Sequence, residues 1–384
     1  MVCISCKRLF KPCIHKRRLF LFILTLYGIV SYFLRDQIWN EFNQVRPKTT
    51  QVQIPTEEAS RRKLLFLQVL FRHGHHSPFS VYQLDPTPAS HWHEGLGQLT
   101  KLGRFQHYAI GQYLRGMYGG FLSHSVLEVD CMSSLAHRSL YGAYAFLAGL
   151  YPAPPGKRMD DDLPYQPIAC SFLPLKEDKY LQSLPNCPAA ETDKSTMLLT
   201  REAKQFMAGY QKTVNLTIPV WAETTWESLR QNSNICYYFN FKTRRLHRLR
   251  AGPMIGEIVG KMRDKIQNPN SKLKVYVYSG HGSNVAAVLN ALQVFNHRVP
   301  TYASTILFEL YQEGEGSHTV RLLFSNATEP EKHIPPPHVL QLPGCGEYCA
   351  LEELERQTSD IFPLDWEKEC QEYDQDRIRQ LINE

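Results

Sequence analysis

The chain has 384 residues, of which 43% are hydrophobic and 21% charged, enough for one large globular domain or two moderate ones. Its formal net charge is +6, and the first 18 residues hold six lysines and arginines without an acid. The rest of the chain therefore balances 37 basic against 37 acidic side chains. The overall charge is no sign of a nucleic-acid-binding surface, so we expect no nucleic-acid partner.

The N-terminal segment predicts a membrane anchor. A basic tail, residues 1–18, precedes residues 19–34, which contain no charged side chain. A transmembrane helix usually needs about 17–25 residues, so this segment is short for one. A cleaved signal peptide is the alternative, but such a segment ends in small residues, whereas this one ends in Ser31-Tyr32-Phe33-Leu34. The charge asymmetry predicts a single-pass type II membrane protein with a cytosolic tail, its later residues lying in the secretory pathway, Golgi, lysosome or at the cell surface.

Strands and helices alternate beyond the anchor. Residues 35–62 are polar with little periodicity, which is typical of a stalk. Short apolar runs predict strands at residues 63–71, 126–131, 273–279, 304–311 and 319–324, the last two joined by a hairpin-like turn. Apolar residues at helical spacing predict helices at 99–118, 136–150 and 285–295, the first capped by Thr100.

Residues 155–250 differ from the flanking chain. They are rich in proline and polar residues, and helical patterns recur near 199–213 and 223–231, which predicts a smaller helical insert. Outside the insert, the repeated order of strand, loop and helix predicts an α/β fold with a mostly parallel sheet flanked by helices. In such folds, ligands bind beyond the carboxyl ends of the strands.

The cysteines agree with the predicted topology. Three fall in the cytosolic tail, where disulfides are rare, and seven fall on the lumenal side. Because seven is an odd number, at least one of these is free or pairs between chains. Asn215 and Asn326 begin N-x-T sequons and are predicted glycosylation sites in that compartment.

Two loops carry the chemistry. The sequence RHGHHSP, residues 72–78, follows the first predicted strand, and GHGSN, residues 280–284, follows the strand at 273–279. An arginine beside a histidine at a strand end suits an oxyanion, because the guanidinium can clamp a phosphate bidentately and an imidazole nitrogen can attack phosphorus. The pattern indicates that Arg72, His73 and His281 form a phosphate site.

These features resemble the histidine acid phosphatases, the lysosomal and prostatic branch, whose signature loop reads RHGxRxP. The resemblance runs over about residues 64–372 and includes GQLTKLGRFQHYAIGQYLRGMY, HRSLYGAYAFLAGLYP and the cysteine-bearing stretches LPNCP, LPGCGEYC and DWEKEC. It implies a phosphoglycerate mutase-like fold for residues 63–372, followed by a C-terminal tail, residues 373–384. It also implies a phosphomonoester substrate and no metal or other cofactor, and it allows a homodimer.

The resemblance assigns roles by position. His73 would be the nucleophile that forms a phosphohistidine, and water would then release phosphate. Arg72 and Arg138 would hold the phosphoryl oxygens together with His281. The family's bridges would pair Cys187 with Cys370 and Cys345 with Cys349, while a third family bridge lacks both partners here. Cys131, Cys170 and Cys236 receive no partner from the resemblance.

The chain departs from the family pattern at three places. His76 replaces the second loop arginine, Gly282 replaces the aspartate that protonates the leaving alcohol, and Leu135-Ala136-His137 replaces a stretch with two acids before Arg138. Loss of a general acid typically costs ~10²–10⁴-fold in rate. Aryl phosphates would suffer least, because their leaving group departs unaided. His76 would recover part of the arginine's role when protonated, which happens readily below its ordinary pKa of about 6.5.

These departures leave two functions open. One is a phosphomonoester hydrolase that acts through phosphohistidine with impaired turnover. The other is a catalytically inactive pseudophosphatase that binds phosphate or a phosphorylated ligand. A zinc or copper site built from the loop histidines and His281 is less favoured, because Arg72 and Arg138 would place positive charge beside the cation. We expect His75 to do little.

Overall fold

The computed structural model describes residues 49–51, 62–81, 87–160, 164–198, 231, 233–314 and 316–372. The predicted basic tail, the predicted anchor at 19–34, the C-terminal tail, residues 199–230 of the predicted insert and Asn215 lie outside these residues. Within them, no helix is long and apolar enough to cross a membrane.

A single sheet of nine strands organises the described residues. Its order is β1-β8-β7-β6-β2-β5-β3-β4, and β9 pairs with β7 at one side. The strands are β1 Thr49–Gln51, β2 Lys63–Arg72, β3 Val129–Ser133, β4 Ser171–Phe172, β5 Val275–Gly280, β6 Thr305–Gln312, β7 His318–Ser325, β8 His338–Leu340 and β9 Cys349–Ala350. Three residues of the predicted stalk thus form an edge strand, β1, against β8.

The sheet is mixed, with its parallel part on one side of β2. Strands β2, β5, β3 and β4 pair in parallel, whereas β6, β7, β8 and β1 continue from β2 in antiparallel pairs. The predicted hairpin is confirmed as β6 and β7. The predicted α/β class is confirmed, and the parallel half is the part that brings three carboxyl strand ends to one edge.

Helices cover both faces of the sheet. They are α1 Lys101–Met117, α2 His137–Leu150, α3 Pro188–Met197, α4 Arg244–Leu246, α5 Gly252–Gln267, α6 Gly282–Ala291, α7 Leu351–Thr358 and α8 Trp366–Glu369. A π-helical turn, His247–Ala251, joins α4 to α5. Residues 233–239 are also helical. The Thr100 side chain accepts the Gly103 N–H at the start of α1, as predicted.

The central strands are buried on both faces. Along β2, Phe66 and Leu70 pack toward α5 and α6, while Leu67, Val69 and Phe71 pack toward α1 and α2. Strand β5 repeats this alternation, because the side chains of successive residues point to opposite faces. Both cores are therefore built from the same strands, and these strands hold the site rigidly.

Three expectations need correction. The strand predicted at 126–131 begins only at Val129, after a 3₁₀ turn. The GHGSN segment is mostly not a loop: α6 begins at Gly282, because the Asn284 side chain accepts the His281 N–H at 2.8 Å and caps the helix earlier than the apolar pattern indicates. Cys131, left without a partner, pairs with Cys170.

The predicted bridges Cys187–Cys370 and Cys345–Cys349 are confirmed. Cys236 is exposed and is the free cysteine of the described part of the chain. Three disulfides are typical of a chain that folds in an oxidising compartment, in agreement with a lumenal or extracellular location.

Candidate active site

Three strand ends converge on the candidate site. Arg72 pairs with Gly280, and Ser133 pairs with Ser279, so the carboxyl ends of β2, β5 and β3 lie side by side. The loops after these strands place His73, His281 and Ser134 at one edge of the sheet. The two loops predicted to meet are therefore adjacent, and a third contributes from β3.

The loop after β2 is fastened to the start of α1. The Thr100 N–H donates to His75 O, and the Ser77 N–H donates to Gln98 O. A Cβ atom on Gly74 would lie only 2.4 Å from Gly103 O, so glycine is needed for this close approach of two backbones. This contact fixes the path of the chain just after His73.

His73 is buried, with 4% of its surface exposed. Its backbone N–H donates to Gly280 O at 3.0 Å, and its ring Nδ1 lies 3.0 Å from Gly74 O. Because a carbonyl can only accept, Nδ1 carries the proton and Nε2 keeps its lone pair. Burial, followed by the positive fields of His281 and Arg72, lowers the pKa of His73 well below its ordinary value. The imidazole is therefore neutral and suited to attack an electrophile.

Two guanidinium groups flank this imidazole. Arg72 donates from Nη1 to Pro300 O, and its guanidinium carbon lies 4.3 Å from the centre of the Tyr302 ring. Arg138 lies in the first turn of α2. The Nε atoms of Arg72 and Arg138 are buried without a hydrogen-bond partner among the described residues. Burial lowers the pKa of both guanidinium groups, which nevertheless remain charged.

His281 completes the cluster. Its ring centre lies 5.3 Å from that of His73, Arg138 Nη2 lies 3.5 Å from its Nδ1, and Ser134 Oγ lies 3.0 Å from its Nε2. Since a guanidinium can only donate, Nδ1 accepts and Nε2–H donates to Ser134. Burial, with the charges of Arg138 and Arg72, lowers the pKa of His281 to about 3. His281 is thus a neutral, oriented group.

The other two loop histidines differ in their contacts. The His76 ring lies 4.9 Å from the His73 ring, and its Nδ1 donates to Ser77 O at 2.6 Å. Burial is the main cause that lowers the pKa of His76, so it takes up a proton less readily in acid than the sequence suggests. His75 Nδ1 instead lies 2.8 Å from Thr100 Oγ1, a contact that supports the helix cap.

Gly282 lies in the first turn of α6, beside Arg72. A Cβ atom there would lie 3.0 Å from the Tyr237 hydroxyl and 3.2 Å from Arg72 Cδ. Within the ranges that the structure describes, no carboxylate forms a salt bridge with Arg72 or Arg138. The pocket is therefore positively charged, and this charge is suited to an anion.

Sequence reasoning missed four residues at this edge. Ser134 follows β3, and Tyr302 precedes β6, which runs antiparallel to β2 and so begins at the edge where β2 ends. The antiparallel direction of β6 was the feature from which Tyr302 could have been predicted at this edge. Phe79, 66% exposed, lies against the His76 ring and Arg138, and Tyr237 comes from the predicted insert. No sequence pattern pointed to Tyr237.

Metal ligation was also considered for the histidine cluster. Among the described residues, no group of three or more His, Cys, Asp or Glu side chains is arranged to hold a metal ion. His73 Nδ1 instead faces Gly74 O, and both ring nitrogens of His281 have protein partners, Arg138 Nη2 and Ser134 Oγ.

The chain belongs to the histidine phosphatase superfamily (branch 2), whose family model matches residues 63–219 and 211–325. Within this superfamily its curated relatives are acid phosphatases. It is 33% identical to the prostatic acid phosphatase of Homo sapiens over 348 residues, which cover 80% of this chain and 88% of that protein. It is 34% identical to the lysosomal acid phosphatase of Rattus norvegicus over 347 residues, 81% of each chain.

Solved structures carry the same fold at lower identity. The phytase from Citrobacter braakii superposes with a TM-score of 0.59 at 17% identity, over 80% of this chain and 99% of that one. The apo phytase of Hafnia alvei gives a TM-score of 0.56 at 16% identity, over 84% of this chain and 100% of that one. At these identities the likeness establishes the fold alone.

Proposed function

We propose that this chain hydrolyses phosphomonoesters through a phosphohistidine formed on His73. The observation that carries the proposal is the pair of buried, unpartnered Nε–H donors of Arg72 and Arg138 beside a neutral imidazole. Buried polar groups are nearly always hydrogen-bonded, so two charged orphans at one edge indicate a missing anion. A phosphate would supply the oxygens that both guanidinium groups lack.

The roles follow from this arrangement. His73 attacks phosphorus through Nε2, since Nδ1 is engaged with Gly74 O. Arg72 and Arg138 hold the phosphoryl oxygens, and His281, which donates to Ser134 and accepts from Arg138, positions the Arg138 guanidinium. His76 lies at the position of the family's second loop arginine and contributes weakly, because burial lowers its pKa and so disfavours the charged form that would bind the anion.

A second function is a pseudophosphatase that binds phosphate or a phosphorylated ligand without turnover. It is favoured by Gly282, which supplies no carboxyl group to protonate the leaving oxygen. Loss of a general acid typically costs ~10²–10⁴-fold, and alkyl phosphates would show this loss most fully.

The setting of the domain is part of the proposal. Residues 19–34 would anchor residues 63–372 to the membrane from the lumenal side, and residues 35–62 would act mostly as a stalk. Asn215 and Asn326 would carry glycans, and a homodimer is compatible with this arrangement. The support for it is the sequence pattern of the N-terminus and the three disulfides of the described residues.

One experiment separates the two functions. The full chain would be incubated with nitrophenyl phosphate and with glycerol phosphate across acid pH, beside the variant His73→Ala. We expect His73-dependent release of phosphate, faster from the aryl ester. Equal background rates in both proteins would overturn the hydrolase. A burst of one nitrophenol per chain, without release of phosphate, would identify a trapped phosphohistidine.

A further inference from the structure

A phenol hydroxyl lies where a side chain at position 282 would begin. The hydroxyl of Tyr237, from the helical residues 233–239, is 3.0 Å from the Cβ position of Gly282. The same Cβ position is 3.4 Å from Arg72 Nε, one of the two orphaned donors. The Tyr237 hydroxyl therefore reaches the edge of the phosphate-binding space from the side of α6.

The environment of Tyr237 suits a proton donor. Its ring packs against the core between the sheet and α5 and α6, so the phenol is held in place. Burial raises the pKa of Tyr237 above its ordinary value, although the charge of Arg72 opposes this. A phenol in this setting keeps its proton throughout the acid range, in which carboxyl groups lose theirs.

Two other hydroxyl groups at this edge are less suited. Ser134 Oγ accepts from His281 Nε2 at 3.0 Å and is not among the atoms nearest the Cβ position of Gly282. Tyr302 presents the face of its ring to the Arg72 guanidinium, 4.3 Å from the ring centre. In the described part of the chain, no hydrogen bond from the Tyr237 hydroxyl to another residue is formed, which leaves this group available to a substrate.

We propose that Tyr237 is a catalytic residue that protonates the leaving oxygen, in place of the carboxylic acid that Gly282 lacks. The proposal rests on the phosphohistidine reaction proposed above. In the first step, the bond from His73 Nε2 to phosphorus forms as the bond from phosphorus to the leaving oxygen breaks. The Tyr237 proton passes to that oxygen, so an alcohol departs and a phenolate remains beside Arg72.

The second step restores both groups. A water molecule attacks phosphorus, its proton passes to the Tyr237 phenolate, and the bond from phosphorus to His73 Nε2 breaks with its electron pair returning to the imidazole. Phosphate leaves, and Tyr237 is again a phenol. Arg72 stabilises the phenolate between the two steps, because opposite charges attract strongly away from bulk water.

The test compares Tyr237→Phe with the unaltered full chain on two substrates. We expect kcat/KM, which reports formation of the phosphohistidine, to fall by about 10²-fold for glycerol phosphate, within the range for a lost general acid, and far less for nitrophenyl phosphate. Tyr238→Phe is the matched control, since Tyr238 lies on the same helical segment and its ring contacts Phe239 and His297 instead of the site.

A rescue variant sharpens the assignment. Gly282→Asp in the unaltered chain would crowd the Tyr237 hydroxyl, whereas Tyr237→Phe removes that hydroxyl. We expect Gly282→Asp to restore glycerol phosphate turnover in the Tyr237→Phe background. Gly282→Ala in the same background adds the Cβ atom without the acid and should restore nothing.

The outcomes separate the two proposals. No His73-dependent turnover by the unaltered chain would overturn the hydrolase and the role of Tyr237 together. If turnover depends on His73 but Tyr237→Phe lowers kcat/KM for both substrates equally, or for neither, the role of Tyr237 alone is overturned. Thermal unfolding with inorganic phosphate checks that each variant is folded.

A measurement on the unaltered chain tests the proposal even if Tyr237→Phe does not fold. The ratio of kcat/KM for glycerol phosphate to kcat/KM for nitrophenyl phosphate cancels the ionisations of the enzyme that affect both substrates. We expect this ratio to stay flat through the range in which a carboxylic acid loses its proton, near pH 4. A fall of the ratio with an apparent pKa near 4 would assign the proton to a carboxyl group and overturn the proposal.

Discussion

The loop after β2 and the segment after β5 border the same site but differ in which residues of the family pattern they retain. The first holds Arg72 and His73 and is fastened to α1 by backbone hydrogen bonds. The second keeps His281, but Gly282 has no side chain to act with it. In the proposed reaction the loop after β2 supplies the nucleophile, whereas proton delivery falls to Tyr237, because Gly282 supplies no acid. A backbone hydrogen bond from the His73 N–H to Gly280 O joins the two segments.

Removal of the nucleophile should have the largest effect. We expect His73→Ala to lower kcat for both esters by roughly 10³-fold or more, because the proposed reaction begins with attack of the His73 Nε2 lone pair on phosphorus. His75→Asn is the control two positions away, and it should leave turnover within a few-fold while costing some stability through Thr100. Stopped assays with radiolabelled ester would measure both, and similar rates in the two variants would reassign the nucleophile.

Arg138 tests whether phosphate binding is shared between α2 and the loop after β2. Arg138→Ala should lower kcat/KM by about 10²–10³-fold, the usual cost of one preorganised donor. The factor should be the same for aryl and alkyl esters, since Arg138 holds the phosphoryl group common to both. Arg115→Ala, an exposed residue of α1, is the surface control. A loss confined to alkyl esters would place Arg138 at the leaving group instead.

Low pH should destabilise the fold through His107, whose ring packs beneath the loop after β2. Burial lowers the pKa of His107 to about 3, and its ring packs on Phe71 at 4.6 Å. In the unfolded chain His107 takes up a proton near its ordinary pKa, whereas in the folded chain it does so only near pH 3. Between these two pH values the unfolded state therefore binds more protons. The free energy of unfolding should therefore fall as the pH is lowered, by about 1.4 kcal/mol per pH unit for this histidine.

His107→Gln should flatten that dependence, because glutamine does not titrate. Denaturant titrations at several pH values would measure it. Inorganic phosphate should oppose the parallel loss from His73, which the proposal places against the anion, and leave the His107 part unchanged. An identical pH dependence in His107→Gln would exclude His107 as the source.

The smallest expected effect is a gain at His76. His76→Arg would return a permanent charge beside His73, and we expect up to about tenfold higher kcat/KM on both esters, less than a full donor because Arg72 and Arg138 already repel a third charge. His76→Asn keeps the position polar and uncharged, so it should not improve the rate. Tighter inhibition by inorganic phosphate in His76→Arg would show that the gain comes from binding the phosphoryl group, and unchanged inhibition would contradict this.

Most of the parallel half could be predicted from the sequence, and the reason is local. β2 and β5 are short, mostly apolar runs, and α1 has a clear helical pattern with its Thr100 cap, so each can be recognised within its own segment. The start of α6 could not be placed, because a side-chain cap by Asn284 extended the helix beyond its apolar pattern. Tyr237 and Ser134 could not be assigned, because their nearest site partners are distant in the sequence.

The sequence by itself indicated the family and, through that resemblance, the bridges Cys187–Cys370 and Cys345–Cys349, because the matching motifs lie within short stretches. It also predicted the phosphate chemistry proposed for Arg72 and His73. Only the tertiary structure decided the protonation of the site and the partner of Cys131. Burial beside Arg72 and Arg138 holds His73 and His281 neutral, which no linear pattern reports. The tertiary structure also decided which group lies next to Gly282. Packing of the helical residues 233–239 against the core brings the Tyr237 hydroxyl there, and such a contact between distant parts of the chain leaves no pattern in the sequence.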